Sequence, residues 1–234
     1  MQIAVGFDLD HTLLLDNKLE RTVALELGEA LCAKRGLAFD AATAGDSLDR
    51  EIALMRTGNM PVETAIEGWL LEIAGSGLEN ALDAGRFRDL VVSRAPDFVQ
   101  AIPGVPELLE ALDGLGVRYA ILSNGWSPLQ EEKARLIGFA APVFVSERIG
   151  VRKPDPQAFR TLVHLFDLPA ADVWYVGDQP AIDCAGALAA GLTAVWFDGE
   201  GNGYPEGLPR PEHTISSLAE LPGLLQGRLS GAAN

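Results

Sequence analysis

Hydrophobic residues at the start of the chain predict a short buried strand that is followed by a helix. The run Ile3–Phe7 is apolar, small or β-branched and has no helical period, which is typical of a strand buried on both faces. From Lys18 to Arg35 the apolar residues recur every three or four positions, which predicts a helix. The segment between these two elements contains the polar run that begins at Asp8.

The next part of the chain has only helical periodicity. Further helices are predicted at Ala41–Met55, Pro61–Ile73 and Leu82–Val92. No convincing strand pattern occurs between Asp16 and Ala95. We therefore expect residues 16–95 to form an α-helical insert, while residues 1–15 and 96–234 form a separate α/β core.

Beyond Ile102 the pattern alternates between helices and short apolar strands. The predicted strands are Val117–Ser123, Val143–Val145, Val173–Gly177 and Ala194–Phe197. The predicted helices are Val105–Leu115, Pro128–Ile137, Pro156–Phe166, Ile182–Ala190 and one near Leu218–Leu225. Alternation at this spacing predicts a Rossmann-like α/β fold, in which a parallel sheet has helices on both faces.

Composition restricts the partners and the compartment. The 234 residues include 33 acidic and 18 basic side chains, and the resulting charge of −15 disfavours nucleic acid and anionic membranes as partners. No apolar stretch approaches the roughly 20 residues that span a bilayer, and we expect no signal peptide before the first strand. Cys32 and Cys184 are far apart, which favours a reducing cytoplasm over a disulfide framework. The sequence leaves a monomer or a homodimer open.

Polar residues directly follow three of the predicted strands. The carboxyl ends of parallel strands share one edge of a sheet, where open α/β sheets bind their ligands. With two residues from the following segments, the set expected at this edge is Asp8, Asp10, Ser123, Asn124, Lys153, Asp178 and Asp183. It provides four carboxylates, a hydroxyl, an amide and one lysine. Hard oxygen ligands without sulfur or clustered histidine indicate Mg²⁺.

These residues belong to four ordered motifs. The motifs are Asp8-Leu-Asp10-His-Thr12, the Ser123-Asn124 strand end, Lys153-Pro-Asp-Pro and Gly177-Asp178-Gln-Pro-Ala-Ile-Asp183. Together they resemble the motifs of the haloacid dehalogenase (HAD) superfamily, and the resemblance extends from Ile3 to about Ala190. The helical insert is similar to the α-helical cap that this superfamily places between its first and second motifs.

The resemblance implies catalysis through an aspartyl-phosphate. Asp8 would be the nucleophile, and Asp10 would protonate the leaving oxygen and then activate water. The implied function is a phosphatase that acts on a small phosphorylated metabolite, such as a nucleotide or a sugar phosphate. Covalent catalysis of this kind divides one difficult displacement into two easier ones.

The resemblance also implies the binding residues. Those expected to hold the phosphate are Ser123 and Lys153, with Thr12 and Asn124 as further candidates. Those expected to hold Mg²⁺ are Asp8, the backbone carbonyl of Asp10, Asp178 and, directly or through another ligand, Asp183. A lysine and a divalent cation would reduce the repulsion between an attacking carboxylate and a phosphate dianion.

Three other functions are disfavoured. HAD dehalogenases lack an acid at the position of Asp10, and phosphoglucomutase-like members use an arginine-rich cap motif that residues 16–95 do not contain. A non-catalytic scaffold that binds phosphate or metal would usually have lost the nucleophile or the metal ligands, both of which this chain retains.

The sequence leaves open whether several other residues contact the substrate. His11 replaces the glycine that is commonest in the first motif, and Trp126 follows the second motif. Each of them either contacts the substrate or packs against its neighbours. Arg56, Arg86 and Arg88 in the insert either meet an anionic substrate or belong to solvated helix faces.

Overall fold

The chain divides into two compact units. A computed structural model describes residues 2–56 and 60–231, apart from the side chains of residues 56 and 78–82. One unit, which we call the helical unit, is Asp16–Val99. The other, the core unit, consists of the residues up to Leu15 and from Gln100 onward. The sequence-based boundary at residue 95 lies four residues before the end of the helical unit.

The described residues of the helical unit form four helices. They are α1 (Leu19–Lys34), α2 (Ala41–Arg56), α3 (Val62–Ala74) and α4 (Leu78–Phe98). The indole of Trp69 on α3 is fully buried, and its Nε1 donates a hydrogen bond to the carbonyl of Ala44 at 2.9 Å. This bond ties α3 to α2 and satisfies the one polar atom of a large buried side chain.

Helix α4 is longer at both ends than its apolar pattern predicts. It continues past residue 95, where we expected the helical insert to end, and the Val99 N–H donates to the carbonyl of Ala95 after the last turn. Pro96 lies in this last turn, where the absence of its N–H removes one helical hydrogen bond. Within the described ranges neither α4 nor any other helix has the apolar length that a membrane crossing requires.

Two of the arginines considered as substrate contacts have partners within the helical unit. Arg86 lies 3.8 Å from Asp83, and Arg88 forms an ion pair with Glu63. The side chain of Arg56 lies outside the described residues.

The core unit contains a parallel sheet, as predicted, and this sheet has six strands, one more than the sequence pattern indicated. The strands of this unit are β1 (Ala4–Phe7), β2 (Leu14–Leu15), β3 (Gln100–Ala101), β4 (Arg118–Ser123), β5 (Val143–Val145), β6 (Val173–Gly177), β7 (Thr193–Phe197) and β8 (His213–Ile215). The sheet order is β5-β4-β1-β6-β7-β8, and β2 pairs with β3 in a separate antiparallel ladder. Strand β1 therefore lies in the interior of the sheet, between β4 and β6.

Helices cover the sheet and complete the α/β architecture. They are α5 (Val105–Gly114), α6 (Leu129–Leu136), α7 (Ser146–Ile149), α8 (Pro156–Phe166), α9 (Ala185–Ala189) and α10 (Leu221–Gly231). Helices α8 and α9 form one hydrophobic cluster with alternate residues of the strands, including Ala120, Tyr175 and Trp196. Helix α5 contacts β4 and packs against α10. Period-two alternation along the strands thus buries side chains on both faces.

The structure differs locally from the sequence analysis at two places. Strand β8 was not predicted, and the ring of His213 on this strand stacks on Trp174 with a centroid distance of 4.8 Å. A strand of three residues is too short to give a readable alternation. The helix predicted at Ile182–Ala190 begins instead as a π-helical turn, Pro180–Cys184, before α9.

Candidate active site

Asp8 extends the central strand of the sheet by one residue. Its backbone N–H donates to the carbonyl of Val176 on β6 at 2.9 Å. The sheet therefore fixes the backbone that carries the buried Asp8 carboxylate. The chain then turns at His11, whose φ of 64° lies in the left-handed region. The turn returns Thr12 to the interior, where it is fully buried. Asp8, Asp10 and Thr12 therefore all lie at the carboxyl end of β1.

Lys153 contacts the Asp8 carboxylate directly. Its Nζ lies 2.6 Å from Asp8 Oδ1, 2.8 Å from Asp183 Oδ1 and 2.8 Å from the hydroxyl of Tyr175. The Tyr175 hydroxyl donates to the carbonyl of Leu122, which leaves its oxygen to accept from Lys153. Burial disfavours the charged amine, but the charges of Asp183 and Asp8 outweigh burial and hold the pKa of Lys153 well above its usual value.

Ser123 and Asn124, at the end of β4, have different surroundings. The Ser123 side chain is buried, and its Oγ accepts a hydrogen bond from Gln130 at 2.6 Å. The Asn124 amide bonds to the backbone of Lys153 through both its nitrogen and its oxygen. Asn124 therefore holds the loop that contains Lys153, whereas the sequence analysis expected it to bind phosphate.

Three carboxylates converge beside Lys153. Asp8, Asp178 and Asp183 each offer an oxygen, and these oxygens lie within 4.8 Å of one another. Thr12 Oγ1 donates to Asp178 at 3.2 Å. Burial raises the pKa of Asp8 well above its usual value, Asp183 and Asp178 raise it further, and Lys153 opposes them. Burial and the charge of Asp183 likewise raise the pKa of Asp178.

The crowding of these acids fits a divalent cation. Burial first, and the neighbouring carboxylates second, raise the pKa values of Asp8 and Asp178, so Lys153 offsets the cost of ionising these two acids only in part. The donors are carboxylate oxygens, without sulfur or imidazole in the group, and this donor set suits Mg²⁺. Asp8, Asp178 and Asp183 are thus the described residues that could hold the metal.

Asp183 is held more tightly than the other two. Its Oδ2 accepts the backbone N–H of Gln179 at 3.0 Å, while its Oδ1 contacts Lys153. The π-helical turn brings its side chain so close to β6 that a Cβ on Gly177 would lie 2.5 Å from the carboxylate. Only glycine leaves room for this approach. Asp183 therefore links Lys153 to the loop that follows β6.

Asp10 lies outside the three-carboxylate group and bonds to helix α6 instead. Lys133 Nζ lies 2.8 Å from Asp10 Oδ1, and Gln130 Nε2 lies 2.8 Å from Asp10 Oδ2. Burial disfavours ionisation of Asp10, but the charge and hydrogen bond of Lys133, together with Gln130, outweigh it and hold the pKa of Asp10 below its usual value.

Sequence reasoning missed Gln130 and Lys133. It counted one lysine at this edge of the sheet because a lysine on a helix usually points to solvent. A signal was present, since these polar residues are three positions apart and so share one face of the helix that follows the Ser123-Asn124 motif. Tyr175 was missed because it lies within an otherwise apolar strand, where its ring predicts a place in the core and its hydroxyl attracts no notice.

His11 and Trp126, the two candidate substrate contacts near the motifs, differ in their exposure to solvent. His11 is exposed, whereas Trp126 is buried with 4% of its surface accessible. Burial favours the packing alternative for Trp126.

Comparison with known proteins identifies similar chains. A family model described as haloacid dehalogenase-like hydrolase matches residues 4–191. The phosphoserine phosphatase of Thermus thermophilus is 32% identical over 82% of this chain and 86% of its own length. The ribulose-1,5-bisphosphate 5-phosphatase of Halopiger xanaduensis is 29% identical over 96% of this chain and 100% of its own.

A solved structure has the same fold. The HAD phosphatase from Thermococcus onnurineus superimposes with a TM-score of 0.73 at 23% identity, covering 97% of this chain and 99% of that one. At this identity the likeness concerns the fold alone.

Proposed function

Because this chain belongs to the haloacid dehalogenase-like hydrolases, we propose that it is a Mg²⁺-dependent phosphatase that hydrolyses a small phosphorylated metabolite through an aspartyl-phosphate on Asp8. The observation that supports this most directly is the 2.6 Å contact between Asp8 and Lys153, beside Asp178 and Asp183. Asp8 is a buried carboxylate that contacts a buried cation and lies beside two further acids, so a nucleophile, a positive charge and candidate metal ligands occur in one place.

The first half-reaction uses Asp8 as the nucleophile. Its carboxylate oxygen attacks the phosphorus, the bond from phosphorus to the leaving oxygen breaks, and the phosphoryl group is carried by Asp8. Lys153 reduces the repulsion between the carboxylate and the phosphate dianion. Asp8, Asp178 and the backbone carbonyl of Asp10 would hold Mg²⁺, with Asp183 beside them, and when bound the ion supplies further charge neutralisation.

Asp10 moves the protons in both half-reactions. Without substrate its pKa is low, so Asp10 takes up a proton when the phosphate dianion binds beside it, because a nearby negative charge favours the protonated acid. It then donates that proton to the leaving oxygen while the aspartyl-phosphate forms. The resulting carboxylate then removes a proton from water as that water attacks the phosphorus, which releases phosphate and restores Asp8. General acid–base catalysis of this kind contributes about 10² to 10⁴ in rate.

The nature of the substrate follows from charge and from the relatives. A chain with a charge of −15 repels polyanions in general, so an anion must be bound by local cations such as the buried Lys153. The two curated relatives are named for different small phosphorylated compounds. We therefore propose a small phosphate monoester as substrate, and the cytoplasm as the compartment.

The test is a panel of small phosphate esters combined with two variants. Asp8→Asn should abolish turnover and leave no acid-stable phosphoprotein after quenching. Asp10→Asn should lower kcat by about 10² to 10⁴, most strongly for alkyl phosphates, because their leaving oxygen needs a proton.

Glu206→Gln, which alters an exposed acid by the same single charge, is the control. Substantial turnover by Asp8→Asn would contradict the proposed nucleophile. Hydrolysis of no ester by the wild type would contradict the proposed function as a whole.

A further inference from the structure

Both oxygens of the Asp10 carboxylate are bonded by side chains of one helix. Lys133 donates to Oδ1 and Gln130 donates to Oδ2, each at 2.8 Å. Because the two donors are three residues apart on α6, a single rigid element fixes both the position and the rotation of the carboxylate. Neither donor belongs to the four motifs from which we inferred the reaction.

Lys133 is buried in a way that requires its partner. Only 1% of its surface is accessible, although lysine is among the residues that are rarely buried without a counter-charge. Arg135 on the same helix is exposed and bonds to Glu132, which is the usual arrangement for a surface cation. Lys133 therefore faces inward because Asp10 is there.

Gln130 connects Asp10 to a second motif. Its Nε2 donates to Ser123 Oγ at 2.6 Å as well as to Asp10 Oδ2. An amide nitrogen has two hydrogens, so both bonds can form at once. Since the Ser123 oxygen accepts one of them, its own proton remains to be donated, and no acceptor for it lies among the described residues. A phosphoryl oxygen would be a suitable acceptor.

Gly125 leaves the space that Gln130 occupies. A Cβ at this position would lie 2.8 Å from Gln130 Cγ and 2.9 Å from Gln130 Nε2, closer than side-chain atoms approach. Substitution by alanine would therefore displace the Gln130 amide without removing it.

We propose that Gln130 and Lys133 are positioning residues for the reaction, with Lys133 and Gln130 fixing the carboxylate of Asp10 and Gln130 also directing the Ser123 hydroxyl toward the phosphoryl group. The proposal rests on the proposed function, in which Asp10 transfers protons in both half-reactions. A carboxylate held at both oxygens keeps the same orientation toward the leaving oxygen and later toward water. A misplacement of about 1 Å can cost 10²-fold in rate.

The two residues predict different kinetic effects. Lys133→Met removes one bond to Asp10 and nothing from Ser123, so kcat should fall about 10- to 100-fold while KM changes less than about threefold. Gln130→Leu releases both Asp10 and Ser123, so kcat should fall and KM should also rise. Gly125→Ala should reproduce the pattern of Gln130→Leu. Arg135→Met, on the exposed side of the same helix, is the matched control and should resemble the wild type.

A double-mutant cycle tests whether Lys133 acts through Asp10. With an activated aryl phosphate, Lys133→Met should change kcat of the Asp10→Asn enzyme by less than about threefold, because the group that it positions is already lost. An equal loss in both backgrounds would show that the effect does not pass through Asp10 and would overturn the proposal. If Lys133→Met fails to fold, Gly125→Ala and Gln130→Leu, which keep Lys133, decide it by their shared rise in KM.

Assays of the wild-type enzyme distinguish a failure of the positioning proposal from a failure of the proposed phosphatase function. If it forms an acid-stable phosphoprotein and the Lys133, Gln130 and Gly125 variants behave like it, the positioning proposal is overturned while the phosphatase function stands. If the wild type forms no phosphoprotein and hydrolyses no ester, both are overturned.

Discussion

Asn124 and Lys153 are joined by two hydrogen bonds, although they are far apart in sequence. The side-chain nitrogen of Asn124 donates to the carbonyl of Lys153, and the Lys153 N–H donates to the side-chain oxygen of Asn124, each at 2.9 Å. An amide is the side chain that can both give and accept in this way. The end of β4 thereby fixes the backbone from which the Lys153 amine reaches Asp8.

We expect Asn124→Ala to impair activity through Lys153. Loss of two partly buried hydrogen bonds should lower the free energy of unfolding by about 1–3 kcal/mol. It should also lower kcat/KM by about tenfold or more, because the Lys153 amine is no longer held against Asp8. Urea unfolding and steady-state kinetics measure the two effects, and Asn202→Ala, at an exposed site, is the control. Unchanged kcat/KM would show that the Lys153 loop keeps its position without the two hydrogen bonds from Asn124, and it would contradict this prediction.

We expect Asp178→Asn to stabilise the metal-free protein while it abolishes activity. The pKa of Asp178 is raised in the folded chain, so its ionisation destabilises the fold as the pH rises above about 4. Removing that charge should raise Tm in EDTA at pH 7.5, and the gain should disappear near pH 4. Thr12 can still donate to the remaining side-chain oxygen.

The same variant should lose the response to metal. Mg²⁺ at a hundred times its Kd at pH 7.5 should stabilise the wild type by about 2.7 kcal/mol. The same concentration should stabilise it less as the pH is lowered, because protons compete for Asp8 and Asp178, whose pKa values are raised. Thermal unfolding with EDTA or Mg²⁺ measures both quantities, with Glu206→Gln as the control for charge. A lower Tm of Asp178→Asn in EDTA would contradict this account of the crowded carboxylates.

Chelation should abolish hydrolysis reversibly. Without a divalent cation, the group of Asp8, Asp178 and Asp183 repels the phosphate, and the single charge of Lys153 beside this group offsets the repulsion only in part. Initial rates after treatment with EDTA, and again after Mg²⁺ is restored, measure the effect. Full activity in metal-free buffer would contradict the proposed use of Mg²⁺.

The thiol of Cys184 should be inert despite its place beside Asp183. Burial, with the negative charge of Asp183 adding to it, raises the pKa of Cys184 to about 12, so only about one thiol in 10⁴ is ionised at pH 8. Iodoacetamide should modify the protein only after unfolding, because Cys32 is buried too. Peptide mapping before and after urea treatment checks this, and rapid modification of Cys184 in the native state would contradict it.

The sheet and the three strand ends could be predicted because each depends on local pattern. Apolar runs of four to six residues mark β1, β4 and β6, and parallel strands necessarily bring their carboxyl ends to one edge. Asp8, Ser123 and Asp178 could therefore be expected near each other before any coordinates were known.

The surroundings of Asp10 could not be predicted in the same way. Whether Lys133 points to solvent or to the interior depends on how α6 is rotated against the sheet, which the charge pattern of the helix alone does not fix. Strand β8 was missed because three residues give too short a pattern, and its existence depends on pairing with β7. In both cases tertiary packing, and not local sequence, decides the outcome.

The ladder between β2 and β3 has a consequence for how this chain can be altered. Leu15 pairs directly with Gln100, so the two ends of the segment Asp16–Val99 are neighbours in an antiparallel ladder. In the connectivity of the core unit, that whole segment is equivalent to the loop of a hairpin. The entropic contribution to the free-energy cost of closing a loop rises by only about 0.6 kcal/mol for each doubling of the loop length. A two-residue turn or a different folded module could occupy this place without rerouting a single strand. Recombination or design can therefore replace the helical unit at this junction while the hydrogen bonds of the core unit are preserved.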